Sequence, residues 1–220
     1  MTYADNFKPF ALVLLIGLAA FARACPAYAA EQQTLTVAGG CFWCVEADFE
    51  AVPGVTGAVS GFTGGTAQNP TYKQVKGGKT GHYESVQITF DPAIVSRAQL
   101  LAMFLRSVDP TDAGGQFCDR GSNYRSAIFV SDAGQKALAK QVISQAQSDL
   151  GQKIVTPVLN ARRFFPAGAF HQDYYKGTKL VLTRFGPKRQ AAAYKKYRKA
   201  CGRDARVRQL WGNSAPFAGG

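Results

Sequence analysis

Cys41 is the residue whose place in the chain points most directly to chemistry. It follows the pair Gly39-Gly40 and begins a segment, residues 41–52, in which apolar side chains recur at helical spacing. At the start of a helix, unpaired backbone N–H groups and the helix dipole stabilise a thiolate and lower its pKa below about 8.5. The glycine pair permits a sharp turn that leaves the sulfur open on one side. Cys41 is therefore predicted to be a nucleophile.

Two aromatic residues, Phe42 and Trp43, directly follow the predicted nucleophile. They would form a flat apolar wall beside the sulfur, which suits a substrate with a small apolar group next to an electrophilic atom. The alternative is that Cys41 is a buried small hydrophobe and that both aromatic side chains belong to the core. Spacing alone leaves that alternative open.

The thiols beyond residue 29 are those of Cys41, Cys44, Cys118 and Cys201. In an oxidising compartment they could form a disulfide framework. A bond between Cys41 and Cys44 would close too small a loop to add much stability, so their spacing favours redox chemistry. A thioredoxin-like dithiol-disulfide oxidoreductase that uses Cys41 and Cys44 is the nearest alternative function.

The segment Gly40-Cys41-Phe42-Trp43-Cys44 closely resembles the active-site signature of the A-type peptide methionine sulfoxide reductases. Further segments resemble that family in the same order along the chain, so that the resemblance covers roughly residues 34–212. They are Gly61-Phe62-Thr63-Gly64-Gly65, Asn69-Pro70-Thr71-Tyr72, Thr80-Gly81-His82-Tyr83-Glu84, the run from Asp119 to Ser126, His171-Gln172-Asp173-Tyr174-Tyr175 and Cys201-Gly202-Arg203-Asp204.

This resemblance implies reduction of the S epimer of methionine sulfoxide, free or protein-bound, to methionine. It assigns Glu84 as the acid that protonates the departing oxygen, a role that needs a pKa raised by burial beside Phe42 and Trp43. The resemblance also implies that Tyr72 and Tyr124 donate hydrogen bonds to the sulfoxide oxygen. It implies that Asp119 helps to hold the site together through hydrogen bonds, and that Phe42 and Trp43 pack against the substrate methyl group.

The implied reaction has two halves. Cys41 takes the oxygen and becomes a sulfenic acid, and a second thiol condenses with it to a disulfide that a thioredoxin-like dithiol reduces. Cys201 is the first candidate for the resolving thiol, because many members place one in the C-terminal region and a flexible tail would bring it in. Cys118 follows, since it adjoins Asp119; Cys44 is third, since it is expected to point inward. No metal or organic cofactor is implied.

Alternating and helical patterns indicate the elements that must position these residues. Strands are predicted over residues 34–38, 82–90 and 126–130, and helices over 41–52, 96–108, 131–150 and 190–199. Residues 55–65 are predicted to be a short strand that runs into a Gly-rich loop, and residues 154–159 a strand broken by Pro157. Asn69, Ser96 and Ser131 are the predicted helix caps, Ser96 with Gln99 as a capping box. The mixture predicts an α+β (mixed α/β) fold in one domain. The resemblance implies a two-layer α/β sandwich with a ferredoxin-like core.

The first 29 residues are predicted to be a secretory signal peptide, followed by a catalytic domain over residues 30–220 with a basic C-terminal tail. Lys8 precedes an apolar run, and Ala27-Tyr28-Ala29 supplies small residues for cleavage after Ala29. Export to the bacterial periplasm is the expected location. A retained anchor is the alternative, although Arg23 interrupts the apolar run.

Composition limits the remaining function classes. A hydrophobic content of 46% is too high for a disordered chain, and no stretch beyond residue 30 approaches the length of a membrane span. A zinc site at Cys41, Cys44, Cys118 and His82 is weakly supported, because a second paired motif is absent.

The net charge of +12 and the basic aromatic run over 188–199 allow binding to nucleic acid, but a solvated helix face is the favoured interpretation. The expected partners are oxidised proteins or free methionine sulfoxide and a thioredoxin-like reductant. Nucleic acid is not an expected partner, and the protein is expected to be a monomer.

Overall fold

A computed structural model describes residues 31–219. The helices of this part of the chain are α1 (Phe42–Glu50), α2 (Tyr72–Lys76), α3 (Arg97–Ser107), α4 (Ala133–Leu150), α5 (Gln190–Cys201) and α6 (Arg203–Trp211). The strands are β1 (Gln33–Gly39), β2 (Val55–Thr63), β3 (Tyr83–Phe90), β4 (Gly115–Gln116), β5 (Asp119–Arg120), β6 (Ser126–Val130), β7 (Val158–Asn160), β8 (Phe165–Pro166), β9 (Leu180–Thr183) and β10 (Gly186–Arg189).

The main sheet has six strands in the order β7-β6-β1-β3-β2-β8. From β6 to β8 each strand is antiparallel to the next in the sheet, whereas β7 lies parallel to β6. The succession β1-α1-β2-β3-α3-β6 with these four strands at the centre is the βαββαβ arrangement of ferredoxin-like folds. The predicted mixed fold with a ferredoxin-like core is confirmed.

The core lies between this sheet and its helices. Val45 and Phe49 of α1 and Phe104 of α3 belong to the same buried apolar cluster as Val37 of β1 and Ile88 of β3. Because alternate residues of a strand face the same side, the apolar positions of β1 and β3 form a continuous surface for the helices. This packing fixes the start of α1 against the end of β1.

Most predicted elements are confirmed, and the corrections concern their ends. Ser96 caps α3 in the predicted capping box with Gln99. Thr71, rather than Asn69, caps α2, because its side chain accepts a hydrogen bond from the Gln74 N–H and the Gln74 side chain accepts one from the Thr71 N–H. Asp132, rather than Ser131, caps α4. The strand predicted over residues 154–159 begins only at Val158.

The C-terminal region is not a flexible tail. Cys201 is the last residue of α5 and is followed at once by α6. The Arg198 guanidinium is buried and forms ion pairs with Asp48 at 2.7 Å and with Asp204 at 2.8 Å. The expectation that flexibility brings Cys201 to the site is therefore wrong, since buried ion pairs hold this segment in place.

The predicted leader, residues 1–29, lies outside the described residues. Within residues 31–219, no helix has both the length and the apolar character that a membrane crossing requires.

Candidate active site

Cys41 lies at the N-cap of α1, immediately after β1 and the glycine pair. Gly40 has a φ of +79°, and a Cβ at this position would come within 2.6 Å of Gln116 Cβ. Both the backbone conformation and the close neighbour therefore require glycine at residue 40. The turn leaves the Cys41 side chain half-buried at the wall of a cavity. The predicted position of the thiol at the start of a helix is confirmed.

Cys44 lines the same cavity as Cys41. Cys44 is buried, as expected, and packs with Tyr174 and Tyr194. Hydrogen bonding to Cys44 and burial raise the pKa of Cys41, whereas hydrogen bonding to Cys41 and the charge of Arg203 lower the pKa of Cys44. Cys44 and burial therefore oppose the lowering of the Cys41 pKa that the start of the helix predicts.

Glu84 lies on β3 beside the start of α1, and its side chain is only 2% exposed. Its Oε2 atom accepts a hydrogen bond of 3.3 Å from the backbone N–H of Phe42. Burial raises the pKa of Glu84 to about 8, although the Phe42 hydrogen bond opposes this shift. The predicted rise in the pKa of this carboxyl group is confirmed. Glu84 is therefore a protonated acid at neutral pH.

Tyr72 and Tyr124 face the same cavity from α2 and from the turn before β6. Burial is the largest cause that raises the pKa of each phenol, and the charge of Glu84 adds to it. Both hydroxyl groups therefore keep their protons over the whole physiological pH range. They are available as hydrogen-bond donors to an oxygen placed between them.

Aromatic side chains form the apolar part of the cavity. Trp43 stacks on Tyr174 with ring centroids 3.7 Å apart and an angle of 5° between the planes. Phe42 is 1% exposed and lies with its ring centroid 6.2 Å from that of Tyr72. The His171 ring packs against Trp43 and Tyr72, so its role here is to support the aromatic wall.

Cys118 and Cys201 are joined by a disulfide bond, and Cys41 and Cys44 are free thiols. Cys118 is exposed, whereas Cys201 is half-buried. Asp119 Oδ2 lies 3.8 Å from Cys201 Sγ. Burial raises the pKa of Asp119, and the charges of Arg203 and Arg184 oppose that rise.

One cavity of about 410 Å³ brings these residues together. Every site residue predicted from the sequence lines it: Cys41, Phe42, Trp43, Cys44, Tyr72, Glu84, Cys118, Asp119, Tyr124 and Cys201. A nucleophilic thiol, a protonated acid, two phenol donors, an apolar wall and a disulfide therefore face the same space. This set of groups suits the reduction of a polar sulfur–oxygen bond that carries a small apolar substituent.

The sequence family is decided by comparison with known proteins. The family model described as "Peptide methionine sulfoxide reductase" matches residues 33–213. The chain belongs to this family. The predicted family resemblance is confirmed over nearly all of the described residues.

Individual relatives agree with this family assignment. Over 194 residues, the chain is 47% identical to "Peptide methionine sulfoxide reductase MsrA 2" of Rhizobium meliloti (strain 1021). The match covers 88% of this chain and 90% of the relative. The chain is 45% identical over 197 residues to the protein of the same description from Caulobacter vibrioides, with 89% of this chain and 94% of the relative covered.

Solved structures show the same fold. Mxr1 from Saccharomyces cerevisiae in reduced form superposes with a TM-score of 0.63 and 29% identity over 66% of this chain and 85% of that chain. Methionine sulfoxide reductase A of Corynebacterium diphtheriae gives a TM-score of 0.63 and 30% identity over 66% of this chain and 74% of that chain. The reductase thus shares its fold with solved members of the family.

Arg203 is a site residue of the reductase that sequence reasoning did not single out. Its guanidinium is 2% exposed and donates hydrogen bonds to Gly39 O at 2.7 Å and to Ser107 O at 2.9 Å. It also lies over the Phe117 ring, 4.5 Å from the centroid. Arg203 therefore ties α6 to the turn before Cys41 and to the residue before Cys118. The sequence feature that could have identified Arg203 is its position two residues after Cys201, in a segment that resembles the family.

His82 does not join the thiols of this reductase. Its Nδ1 accepts a hydrogen bond from the Gly65 N–H, and its Nε2 lies 2.8 Å from Ala67 O. Both ring nitrogens are thus engaged in the loop before Glu84. The weakly supported zinc site with Cys41, Cys44 and Cys118 is not assembled by the described residues.

Proposed function

We propose that the protein reduces the S epimer of methionine sulfoxide, free or within a polypeptide, to methionine. The observation that carries this proposal is the Phe42 N–H bond to Glu84, which fixes a protonated acid beside Cys41. An S–O oxygen is a poor leaving group, so a thiol that attacks sulfur needs such an acid within reach of the oxygen.

In the first half-reaction, the Cys41 sulfur attacks the sulfoxide sulfur, and its proton passes to the hydrogen-bonded Cys44. Glu84 protonates the oxygen, while Tyr72 and Tyr124 donate hydrogen bonds to it. The attack forms a bond between the Cys41 sulfur and the substrate sulfur, and the sulfur–oxygen bond of the substrate breaks as the protonated oxygen leaves as hydroxide. This hydroxide then attacks the Cys41 sulfur, which breaks the sulfur–sulfur bond. Methionine leaves, and Cys41 becomes a sulfenic acid.

Stereoselectivity follows from the unlike walls of the cavity. The ring system of Trp43 and Phe42 offers an apolar surface for the substrate methyl group, and the phenols of Tyr72 and Tyr124 offer donors for the oxygen. When these walls hold the methyl group and the oxygen, the third substituent of the sulfoxide sulfur, the CH₂ group of the methionine side chain, can leave the cavity in only one direction. Only one epimer then presents its sulfur to Cys41.

In the second half-reaction, a thiol condenses with the Cys41 sulfenic acid, so that a disulfide forms and water leaves. The candidates remain Cys201, Cys118 and Cys44. The Cys118–Cys201 bond supports a relay, in which one of these two thiols attacks Cys41 and the other then displaces Cys41. A thioredoxin-like dithiol then reduces the Cys118–Cys201 bond by exchange, and the exposed Cys118 sulfur is the favoured point of attack.

The test is reduction of the separated S and R epimers of a methionine sulfoxide peptide with dithiothreitol, by the wild type and by Cys41→Ser. Turnover of the S epimer alone, lost in Cys41→Ser, is the expected result. A folded, reduced wild type that turns over neither epimer would contradict the proposal. Dithiol-disulfide exchange by Cys41 and Cys44 would then become the leading function.

Export to the periplasm with cleavage after Ala29 is part of the same proposal. It is supported by the charged start, the apolar run and the small residues of the leader. The intact mass of the protein recovered from the periplasm tests the cleavage site, and a cytoplasmic, uncleaved chain would contradict it. The monomeric state is tested by light scattering on that mature protein.

A further inference from the structure

The hairpin β9–β10 stands at the cavity and has no role in the chemistry described above. Its residues Val181, Leu182, Thr183 and Arg184 line the cavity that holds Cys41. Val181 packs against the buried cluster that contains Cys44, Tyr174 and Tyr194. The inward side of the hairpin is therefore anchored to the floor of the active site.

Leu180 and Leu182 form a largely exposed apolar stretch of β9, and Leu182 reaches from the cavity lining into solvent. Leu180 is 74% exposed and Leu182 is 87% exposed. Phe170, which lines the same cavity, is 45% exposed. Exposed large apolar side chains are thus concentrated at the rim of the active site, and such concentration is a mark of an interaction surface.

Strand β9 also has a free edge. In the part of the chain that the structure describes, β9 pairs with β10 and with no other strand. Pro187 on β10 has no backbone N–H, which makes β10 the poorer edge for a further strand. An extended polypeptide beside β9 would gain main-chain hydrogen bonds and would lie along the rim of the cavity.

We propose that the β9–β10 hairpin and Phe170 bind the polypeptide around an oxidised methionine, in extended conformation and with apolar side chains next to the sulfoxide. This inference rests on the proposed function and names its preferred substrate. The continuity of the hairpin with the cavity wall supports a substrate segment as the occupant, because a chain that places its side chain at Cys41 must cross this rim. Arg184, held over the rings of Phe185 and Tyr197, adds a fixed positive charge there.

The experiment compares three substrates with dithiothreitol as reductant. They are the capped single residue N-acetyl methionine sulfoxide amide, a peptide with leucines on both sides of methionine sulfoxide, and the same peptide with serines. The enzymes are the wild type, Leu180→Ser and the matched control Ile94→Ser, since Ile94 is 63% exposed and lies outside the cavity lining. The measured quantity is the ratio of kcat/KM for each peptide to that for the capped residue.

For the leucine peptide, we expect Leu180→Ser to lower this ratio roughly tenfold, the size of effect that burial of one leucine side chain produces. The serine peptide and the Ile94→Ser enzyme should keep the wild-type ratios. A double variant, Leu180→Ser with Leu182→Ser, should lower the leucine-peptide ratio further. Circular dichroism checks that each variant is folded.

An unchanged ratio in the double variant would overturn the inference. The same assays are repeated with thioredoxin in place of dithiothreitol; a loss seen only with thioredoxin would also overturn the inference, because the hairpin would then bind the reductant rather than the substrate. A wild type that reduces the capped residue but shows no preference for the leucine peptide would also overturn it, while leaving the proposed function intact. Failure of the wild type on all three substrates would instead overturn the proposed function itself.

Discussion

Glu84 Oε2 and the backbone nitrogen of Phe42 lie 3.3 Å apart, joined by a hydrogen bond between β3 and the first turn of α1. Phe42 directly follows Cys41, so one bond sets the distance between acid and nucleophile. The bond also opposes the rise in the Glu84 pKa that burial causes. The site thus holds a carboxylic acid with a pKa of about 8 at a position fixed by the backbone.

Glu84→Gln should slow the first half-reaction by roughly 10² to 10⁴, the usual contribution of a general acid. Because the Glu84 pKa is raised to about 8, the wild-type rate should fall as the pH rises through that value, and this fall should vanish in the variant. Single-turnover kinetics across that pH range measure both effects. Glu46→Gln, which changes a buried carboxyl group outside the cavity lining, is the control. A normal single-turnover rate in Glu84→Gln would remove Glu84 from the acid role.

Tyr72→Phe and Tyr124→Phe should each reduce kcat/KM by roughly tenfold, because each removes one hydrogen bond to the oxygen in the transition state. The double variant should lose more than either single variant. Tyr175→Phe is the matched control, since the Tyr175 hydroxyl bonds to Glu50 outside the cavity lining. If the control loses as much as the cavity variants, the phenols of Tyr72 and Tyr124 have no special role.

Cys118→Ser and Cys201→Ser should retain the release of one equivalent of methionine but lose turnover driven by thioredoxin. The reason is that in the proposed relay Cys41 reacts first and the disulfide then passes to Cys118 and Cys201, which are bonded in the structure. Mass spectrometry of each variant after one equivalent of substrate identifies which thiol bonds to Cys41. Full thioredoxin-driven turnover in both variants would leave Cys44 as the resolving cysteine.

Arg203→Met should lower the free energy of unfolding by roughly 2–5 kcal/mol, because it leaves the buried Gly39 and Ser107 carbonyls without their donor. It should also raise the pKa of Cys44, since the Arg203 charge lowers that pKa. Urea denaturation measures the first effect and ultraviolet absorbance of the thiolate the second. Arg208→Met, on the exposed part of α6, is the control. A Cys44 pKa that stays constant in Arg203→Met would limit Arg203 to a structural role.

Stability should decrease as the pH rises from about 4.5 to about 8. Burial raises the pKa of Glu46 to about 7 and that of Glu84 to about 8, above the ordinary value of 4.5, so the folded state binds these protons more tightly than the unfolded state. The contribution is fully present below pH 4.5 and is lost through the folded-state pKa values. Glu46→Gln should make the decline shallower in urea denaturation at a series of pH values. An equal slope in wild type and variant would contradict the assignment to Glu46.

Local sequence was enough to predict the elements that carry the site. The break at Gly39-Gly40 and the apolar period after Cys41 predict the end of β1 and the start of α1, because both depend on neighbouring residues. The capping box of Ser96 and Gln99 is predictable for the same reason. Where two capping residues are adjacent, as Ser131 and Asp132 are, local chemistry does not choose between them, and the predicted cap at Ser131 is wrong by one residue.

Residue types and local spacing predict the nucleophile and its position at the start of a helix, and the family-like segments imply the acid and the phenols. How those groups meet depends on the packing of the chain. Cys118 and Cys201 are 83 residues apart, and their bond depends on the packing of α5 and α6 through Arg198 and Arg203. The pKa of Cys41 likewise depends on burial and on Cys44. Distances and solvation between remote segments are properties of the packed chain, and no local pattern of residues specifies them.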